Sequence, residues 1–357
     1  MPLVAHAELP AFDRLKQEGH RILEQNYAQR QDIRELHIGL LNMMPDAALE
    51  ATERQFLRLV GGCNQIAQFH IHLFTIEGIE RGDEAQAHID RYYESFESIQ
   101  EQGLDGLIVS GANVTHAHLQ NEVFWHPLSE VFEWAKDNVA STLCSCLATH
   151  ALIQYCHGIV RTHHEQKRWG VFPHTVVDRS HPLVADINTR FNVIHSRYNS
   201  VERIDLERAG LRVLVESPDV GTHLAVSPDR FRMVFFQGHP EYDTVSLMKE
   251  YKREICAWYN NVNKKYPPYP KNYFSSKAIE ILKNYAAQLR LARDADMDMP
   301  EFPEAEVMQY LDNTWRDTAK AVFNNWLGQI YQITDLDRHV AFRSDVNPDN
   351  PLGLDLC

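Results

Sequence analysis

The sequence predicts an α/β protein with a mostly parallel sheet and helices on both of its faces. Short apolar segments typical of buried strands alternate with longer segments whose apolar residues recur at helical spacing. Two of these strands end in glycine, at Gly111 and at Gly238. The chain has 357 residues, of which 44% are hydrophobic, enough for one large domain with an extension or for two modest ones. In parallel sheets of this kind the ligand site lies beyond the carboxyl ends of the strands.

The first half of the chain alternates regularly between strands and helices. Residues 1–35 are polar, and we expect a surface arm with a helix within residues 13–31. The expected strands are residues 36–42, 66–76, 106–111 and 139–144, and the expected helices are residues 49–60, 89–101, 123–137 and 147–155.

The second half is richer in strands and ends in helices. The expected strands are residues 174–178, 212–216, 223–226 and 233–237, and the expected helices are residues 243–258, 275–293 and 313–331. This pattern predicts four parts: an N-terminal arm (1–35), an α/β catalytic domain (36–262), a linker with a C-terminal helical extension (263–334) and an unstructured tail (335–357).

Charge and cysteine content exclude several classes of protein. The net charge of -14 argues against a nucleic-acid or anionic-membrane partner. Six irregularly spaced cysteines read as the free thiols of a cytoplasmic protein. Residues 1–22 carry charges throughout, so we expect no signal peptide, and no segment approaches the roughly 20 apolar residues of a membrane span.

Cys146 lies at a joint where a buried strand passes directly into a helix. Such a joint is a tight turn that exposes the sulfur above the sheet, and the backbone N–H groups of the helix favour thiolate over thiol. Cys144 shares the same strand face but lies deeper. The alternative is that both are small buried core residues, as free cysteines commonly are.

His239 and Glu241 follow a buried strand on the turn before a helix. Two residues apart around a proline, the carboxylate can orient the imidazole and stabilise its charge. Alone, the two residues could simply satisfy a turn and cap the helix. Together with Cys146 they form the combination that activates a nucleophile.

The turn at residues 110–113 (Ser-Gly-Ala-Asn) follows another strand. Its glycine allows backbone N–H groups to approach a ligand closely, as an oxyanion hole requires. We expect the oxyanion donors near Ala112 and Leu147, although a glycine after a strand is common.

These residues carry a family resemblance. The chain resembles the homoserine O-acyltransferases of methionine biosynthesis, the homoserine O-succinyltransferase group, which have the class I glutamine amidotransferase-like fold. The matching segments are Leu40-Leu-Asn-Met-Met-Pro45, Gln55-Phe-Leu-Arg-Leu59, Gly106-Leu-Ile-Val-Ser-Gly-Ala112, Ser141-Thr-Leu-Cys-Ser-Cys146, Lys167-Arg-Trp-Gly-Val171, His195-Ser-Arg-Tyr198, Gly238-His-Pro-Glu-Tyr-Asp243 and Phe323-Asn-Asn-Trp-Leu327.

The resemblance implies a role for each site residue. Cys146 would carry the acyl thioester, with His239 as general base and Glu241 as its supporting carboxylate. Substrate contacts would come from Lys167, Ser196 and Arg253, and a guanidinium such as that of Arg253 binds an amino-acid carboxylate through two parallel hydrogen bonds. The resemblance further implies acyl-CoA and L-homoserine as substrates, no cofactor, and a homodimer.

The chain departs from the family pattern in three places. The turn after the cysteine reads Leu147-Ala-Thr-His150, where the family has a tryptophan or glycine and then a glutamine. Asn113 stands where proline is usual, and the region 266–313 is longer than in the family. These changes affect the expected details of substrate binding, and they leave homoserine and serine both open as acceptors.

Thr115 occupies the position that helps set the acyl group in this family, four residues beyond Gly111. Glutamate there goes with acetyl and glycine with succinyl. A glutamate would repel the free carboxylate of a succinyl group, whereas the threonine hydroxyl can donate to it. We therefore expect succinyl-CoA as donor, with acetyl-CoA as the alternative. The other interpretation is that Thr115 only ends a turn.

Three other functions remain open. Two histidine pairs could act with Cys144 and Cys146 as metal ligands, but they lie in different loops and strands without Cys-x-x-Cys spacing, so we expect no metal site. An amidotransferase-like hydrolase shares the fold, although the usual glycines beside the cysteine are missing. In a non-catalytic binding protein, Cys146 would have ordinary thiol reactivity. The pairs are His70 with His72 and His116 with His118.

Overall fold

The computed structural model describes residues 3–20, 22–30, 33–63 and 67–354, which form eleven strands and twelve α-helices. The strands are β1 (Leu3–Ala5), β2 (Ile22–Glu24), β3 (Glu35–Leu41), β4 (Gln68–Phe74), β5 (Gly106–Val109), β6 (Ser141–Ser145), β7 (Thr162–Val176), β8 (Arg190–Ser200), β9 (Arg212–Ser217), β10 (Gly221–Val226) and β11 (Met233–Phe236). The helices are α1 (Pro10–Gln17), α2 (Gln25–Ala28), α3 (Leu49–Gly61), α4 (Asp83–Tyr92), α5 (Phe96–Gln102), α6 (Trp125–Asn138), α7 (Leu147–His157), α8 (Arg203–Arg208), α9 (Ser246–Tyr259), α10 (Ser276–Asp294), α11 (Glu304–Met308) and α12 (Arg316–Ile333).

All eleven strands form one sheet, in the order β2-β1-β4-β3-β5-β6-β11-β10-β9-β7-β8. Neighbours from β2 to β11 pair in parallel, and neighbours from β11 to β8 pair antiparallel. The predicted α/β class with a mostly parallel sheet is therefore confirmed. The parallel half brings the carboxyl ends of β3, β5, β6 and β11 to one edge, where the site lies.

The structure differs from the sequence prediction at the N-terminus. Among the described residues of this segment, strands β1 and β2 belong to the sheet rather than to a polar surface arm, because β1 pairs with β4 and β2 extends the sheet beyond β1. Helix α1 packs through Phe12 and Leu15, which are buried. The short strands of this segment give little periodic signal. Met1, Pro2, Arg21, Gln31, Asp32 and Ile66, where we placed parts of the arm and the start of a strand, lie outside the described residues.

Two further elements differ from expectation. The helix predicted over residues 89–101 is divided into α4 and α5, because the N–H of Glu94 donates to the carbonyl of Leu73 (2.8 Å) and Ser95 caps the next helix. Strand β8 was not predicted, and β7 begins twelve residues before the expected start, at Thr162 rather than His174. Polar residues interrupt the apolar pattern of this hairpin.

Helix α12, predicted as part of the C-terminal extension, packs on the central sheet. Phe323 and Trp326 are fully buried, and the ring of Phe323 stacks 6.0 Å from that of Phe236 in β11. The indole N–H of Trp326 donates to the hydroxyl of Ser141 in β6 (2.9 Å). The helix therefore supports the two strands that end at the site. The division of the chain into domains stays a prediction.

The remainder of the extension attaches to β7. Lys271 pairs with Gly170, and its N–H and carbonyl bond the backbone of Trp169 and Val171 (both 2.8 Å). Helices α9 and α10 share an apolar cluster with this segment through Tyr251 and Leu282.

The described part of the tail has no regular helix or strand, and it packs on the protein. Phe342 is buried, and the guanidinium Nε of Arg338 donates to the carbonyl of Gln102 (3.1 Å). The last residues, 355–357, lie outside the described residues. No helix among the described residues has the length and apolar content needed to span a membrane.

Gly170 provides a test of how the extension is attached. Its φ is +143°, and a Cβ there would overlap the carbonyl of Lys271. We expect Gly170→Ala to lower the free energy of unfolding by about 2–3 kcal/mol. Denaturant unfolding followed by circular dichroism measures this change.

The matched control is Gly328→Ala on α12, where a Cβ meets no atom within 4 Å. Alanine is favoured over glycine inside a helix, so this change should raise stability by about 0.5–1 kcal/mol. Equal stabilities of the two variants would contradict the proposed attachment.

Candidate active site

Cys146 occupies a sharp turn between β6 and α7, as predicted. Its φ and ψ are 53° and -109°, a conformation that costs a non-glycine residue about 1–3 kcal/mol. The turn is held by the N–H of Cys146, which donates to the carbonyl of Phe236 (2.8 Å), and by the Thr149 hydroxyl, which donates to the same carbonyl (2.8 Å). Cys144 is fully buried, and burial raises the pKa of its thiol well above the ordinary value. Cys146 is partly exposed, so it is the accessible cysteine of the pair.

His239 reaches the site because Gly238 allows the chain to pass close to β8. A Cβ at Gly238 would lie 2.7 Å from the carbonyl oxygen of Ile194 and 2.9 Å from Nδ1 of His223. The N–H of His239 donates to the same carbonyl of Ile194 (2.9 Å). The absence of a side chain at Gly238 therefore allows the backbone of His239 to lie against β8.

Glu241 orients His239. Nδ1 of His239 lies 2.8 Å from Oε1 of Glu241, so Nδ1 carries the proton and Nε2 is directed to Cys146. The hydroxyl of Ser145 donates to the other carboxylate oxygen (3.2 Å). Tyr242 stacks on the imidazole with ring centroids 4.1 Å apart. These contacts hold the predicted Cys–His–Glu arrangement in place.

Charge in the arrangement favours protonated His239. Burial would lower the pKa of the imidazole, but the charges of Cys146 and Glu241 outweigh burial and raise the pKa well above its ordinary value. An imidazolium beside the sulfur stabilises the thiolate.

Two arginines that we did not predict lie close enough to Cys146 to interact with its charge. Arg197 is buried, and its guanidinium donates to the carbonyls of Asn199 and Val220 (both 2.7 Å). Burial lowers the pKa of Arg197 to about 9, and the Cys146 charge opposes this change. Arg161, at the end of the loop after α7, interacts with Cys146 and Glu122. Both guanidiniums make the surroundings of the sulfur electropositive.

The expected oxyanion turn lies against the cysteine. A Cβ at Gly111 would be 3.8 Å from Cβ of Cys146 and 4.0 Å from the backbone nitrogen of Leu147. The turn is fixed by the Ser110 hydroxyl, which accepts the N–H of Met43 (2.8 Å). Leu147 begins α7, so its N–H has no partner within that helix. Ala112 follows on the same turn and is partly exposed.

The predicted substrate residues Lys167 and Ser196 both contact Glu250, which we did not predict. Nζ of Lys167 lies 3.3 Å from Oε2 of Glu250, and the Ser196 hydroxyl donates to the same oxygen (2.6 Å). The indole of Trp169 and the hydroxyl of Tyr242 also donate to this carboxylate (both 2.8 Å). Burial would raise the pKa of Glu250, but Lys167, Ser196 and Tyr242 lower it below its ordinary value. The helix pattern around residue 250 reads as a solvated charged face, so no sequence signal marked Glu250.

Arg253 is the one predicted substrate residue that the structure does not join to the others. It lies one turn beyond Glu250 on α9 and is exposed. Among the described residues it makes no hydrogen bond or ion pair, so its guanidinium is available to a ligand.

Thr115 lies on an exposed loop that Glu122 holds. The carboxylate of Glu122 accepts the N–H groups of Thr115 (2.7 Å) and His116 (2.6 Å), and the Thr115 hydroxyl donates to it (3.1 Å). The Thr115 hydroxyl therefore already donates to Glu122. To donate to a succinyl carboxylate, as we expected, it would have to give up this hydrogen bond.

The metal arrangement considered from the sequence is not assembled. His116 and His118 are exposed on a loop, whereas His70 and His72 lie in β4. In the part of the chain that the structure describes, the groups of metal-binding side chains include neither Cys144 nor Cys146.

Comparison with known proteins shows one family. The model of the homoserine O-succinyltransferase family matches residues 2–336. A homoserine O-succinyltransferase of Methylococcus capsulatus is 66% identical over 99% of this chain and 100% of its own length, and one of Methylobacter tundripaludum is 63% identical over the same shares. A glutamine amidotransferase structure from Thermotoga maritima covers 83% of this chain and 98% of its own, at 12% identity and a TM-score of 0.42. That last likeness is too remote to support a conclusion.

Replacing Glu241 by glutamine tests the charge argument. The change keeps the shape but removes a charge that raises the pKa of His239, so the imidazolium and the thiolate beside it become less stable. We expect alkylation of Cys146 by iodoacetamide at pH 7 to slow on the order of tenfold, and the difference to close near about pH 10, where thiols ionise unaided.

Peptide mass spectrometry follows the reaction at each cysteine. Partly exposed Cys256, on α9, serves as the internal control and should react at one rate in both proteins. Equal rates at Cys146 in the two proteins would rule out the charge argument.

Proposed function

This chain belongs to the homoserine O-succinyltransferase family and is an O-acyltransferase. We propose that it transfers a succinyl group from succinyl-CoA to the hydroxyl of L-homoserine through a thioester on Cys146. The observation that carries the mechanism is the placement of Cys146 on a strained turn beside the His239–Glu241 pair. This reaction would serve methionine biosynthesis.

The first half-reaction forms the acyl-enzyme. The Cys146 thiolate attacks the thioester carbonyl of succinyl-CoA, and the oxyanion is held by backbone N–H groups of Leu147 and near Ala112. When the tetrahedral intermediate collapses, the bond to the CoA sulfur breaks and His239 gives its proton to that sulfur. CoA leaves as the thiol, and Cys146 carries the succinyl group. Exchange between two thioesters is nearly balanced in free energy, so the acyl-enzyme stays reactive.

The second half-reaction transfers the acyl group. Neutral His239 takes the proton of the homoserine hydroxyl as the oxygen attacks the Cys146 thioester. Collapse of the intermediate breaks the bond to Cys146 and releases O-succinylhomoserine. The thiolate and the imidazolium are then restored together. Glu241 orients the imidazole and stabilises its charged form in both half-reactions.

Homoserine recognition would divide between Arg253 and the residues around Glu250. Exposed Arg253 would pair with the amino-acid carboxylate. Glu250 already accepts four donors, so we assign it the positioning of Lys167 and Ser196 rather than direct contact with substrate. Serine as acceptor would place its hydroxyl one carbon farther from the thioester.

Succinyl recognition would rest on Arg161. This guanidinium interacts with Cys146 and Glu122 and makes no side-chain hydrogen bond or ion pair among the described residues. The Glu122 carboxylate is occupied by the N–H groups of Thr115 and His116, which leaves Arg161 available to the free carboxylate of the donor. A cytoplasmic location and a homodimer remain expectations.

The acyl-enzyme itself can be trapped. Incubation with succinyl-CoA in the absence of homoserine should add one succinyl group to the chain by intact mass spectrometry, and homoserine should then remove it. Cys144→Ala, two residues away in the buried strand, should still be acylated, whereas Cys146→Ala should not. Acylation of the Cys146→Ala protein would contradict the assignment of Cys146 as the acylated residue.

Thr115→Glu tests donor selectivity. The new carboxylate would lie beside Glu122, with which Arg161 interacts, so it would compete with the succinyl carboxylate for Arg161 and repel that carboxylate by its charge. We expect the ratio of kcat/KM for succinyl-CoA to that for acetyl-CoA to fall on the order of tenfold. Steady-state kinetics with each donor gives the ratio.

The control is Thr115→Gln, which has the same size without the charge and should keep more of the succinyl preference. Circular dichroism verifies that both variants fold. An unchanged ratio in Thr115→Glu would remove Thr115 from acyl selection.

A further inference from the structure

A cluster of histidines and glutamates lies at the opposite end of the sheet from Cys146. His37 stands near the start of β3, and the parallel register places it beside His70 of β4. Glu35, two residues before His37, points to the same face, because side chains two apart in a strand share a face. His6 and His72 join the cluster through ring centroids 5.2 Å apart.

Three atoms of this cluster, Oε2 of Glu35 and Nε2 of His37 and His70, lie within 4.8 Å of one another, close enough to share one ion. The rings of His37 and His70 are stacked at 8°, so a side-chain rotation must turn both lone pairs toward that ion. Oε2 of Glu35 lies 3.6 Å from Nε2 of His37 and 3.5 Å from Nε2 of His70. These distances are too long for good hydrogen bonds. They match the separation of about 3.4 Å between two ligand atoms that bind the same tetrahedral Zn²⁺ at about 2.1 Å.

The two nitrogens lack other partners. Nε2 of His37 and Nε2 of His70 are buried, and neither has a hydrogen-bond partner among the described residues. A buried polar atom without a partner is destabilising, so an arrangement that leaves two of them side by side needs an explanation. A bound cation would satisfy both at once.

The tautomer of His37 follows from its other nitrogen. Nδ1 of His72 lies 2.7 Å from Oε1 of Glu94, so it carries the proton and donates to the carboxylate. Nε2 of His72 is then the acceptor for Nδ1–H of His37, at 2.8 Å. This leaves Nε2 of His37 with a free lone pair, the form that binds a metal, and supplies the carboxylate-linked support typical of metal-bound histidines.

The neighbouring group of His6, His72 and Glu94 does not form a second site. Both nitrogens of His72 are already used, and Nδ1 of His6 lies 3.1 Å from the carbonyl of Val4. This group therefore orients the first one.

We propose that Glu35, His37 and His70 form a binding site for a divalent transition-metal ion such as Zn²⁺, separate from the active site. Two imidazoles and one carboxylate are the ligand set of borderline metals rather than of Ca²⁺ or Mg²⁺. The ion enters from the side of Glu35, whose side chain is 38% exposed. Solvent provides the fourth ligand.

Arg338 opposes the ion. Its charge interacts with both His37 and His70, and its Nε donates to the carbonyl of Gln102 (3.1 Å). Because the Arg338 guanidinium is positively charged, it weakens the binding of a metal cation beside it and limits the affinity of the site for the ion.

Titration calorimetry of the metal-free full chain with Zn²⁺ tests the proposal. The experiment uses the Cys146→Ala background, which prevents Zn²⁺ from binding the catalytic cysteine and histidine. We expect one ion per chain. Glu35→Gln and His70→Gln should each weaken binding at least about tenfold, whereas the double change of exposed His116 and His118 to glutamine should leave it unchanged.

Substitution of a buried ligand could also disturb folding. Two further measurements therefore test the site without relying on weaker binding in those variants alone. Arg338→Gln should tighten Zn²⁺ binding, because it removes the opposing charge. Zn²⁺ should raise the melting temperature of the parent protein but not of Glu35→Gln. Binding that is absent in the parent, or unaffected by Glu35→Gln and Arg338→Gln alike, would overturn the site and leave the cluster as packed neutral histidines.

Discussion

The parallel pairing of β6 with β11 is the constraint on which the active site depends. In its register Ser145 lies beside Phe236, so Cys146 and the Gly238–His239 turn leave the sheet at neighbouring positions. The N–H of Cys146 continues the hydrogen-bond pattern by donating to Phe236, even though its φ has become positive. The ladder and the Thr149 hydroxyl thus offset the strain of the turn. Helix α12 contacts the same two strands, so a helix distant in sequence supports the geometry of Cys146.

Burial alone would make His239 useless as a proton donor. His150, His195 and His223 are as fully buried as His239, and burial lowers the pKa of each below the ordinary value. His239 differs because a carboxylate and a sulfur face its two nitrogens. The neighbouring partners, rather than the depth, decide which buried histidine carries charge.

The sequence predicted the residues that follow directly from apolar strands, and missed those that arrive from elsewhere. Cys146 and His239 each come after a clear strand, so the strand pattern alone places them at the carboxyl edge of the sheet. Glu250 lies in a charged helix, and only the fold shows that this turn of the helix is buried against Lys167 and Ser196. The hairpin of β7 and β8 was missed for a related reason. Its polar residues, among them Ser196, which contacts Glu250, interrupt the apolar periodicity.

The two ends of the sheet place the same residue type in opposite situations. At the carboxyl end, His239 is held charged by Cys146 and Glu241. At the amino end, Nε2 of His37 and Nε2 of His70 face Glu35 without a hydrogen bond. An ion there would join the start of β3 to β4. The other end of β3 leads to Met43, whose N–H donates to the Ser110 hydroxyl. Because the strands between are already paired along their length, the ion would add to the free energy of unfolding without moving the Cys146 turn. An ion in this cluster would therefore affect the stability of the fold, whereas the proposed reaction takes place at the carboxyl ends of the strands.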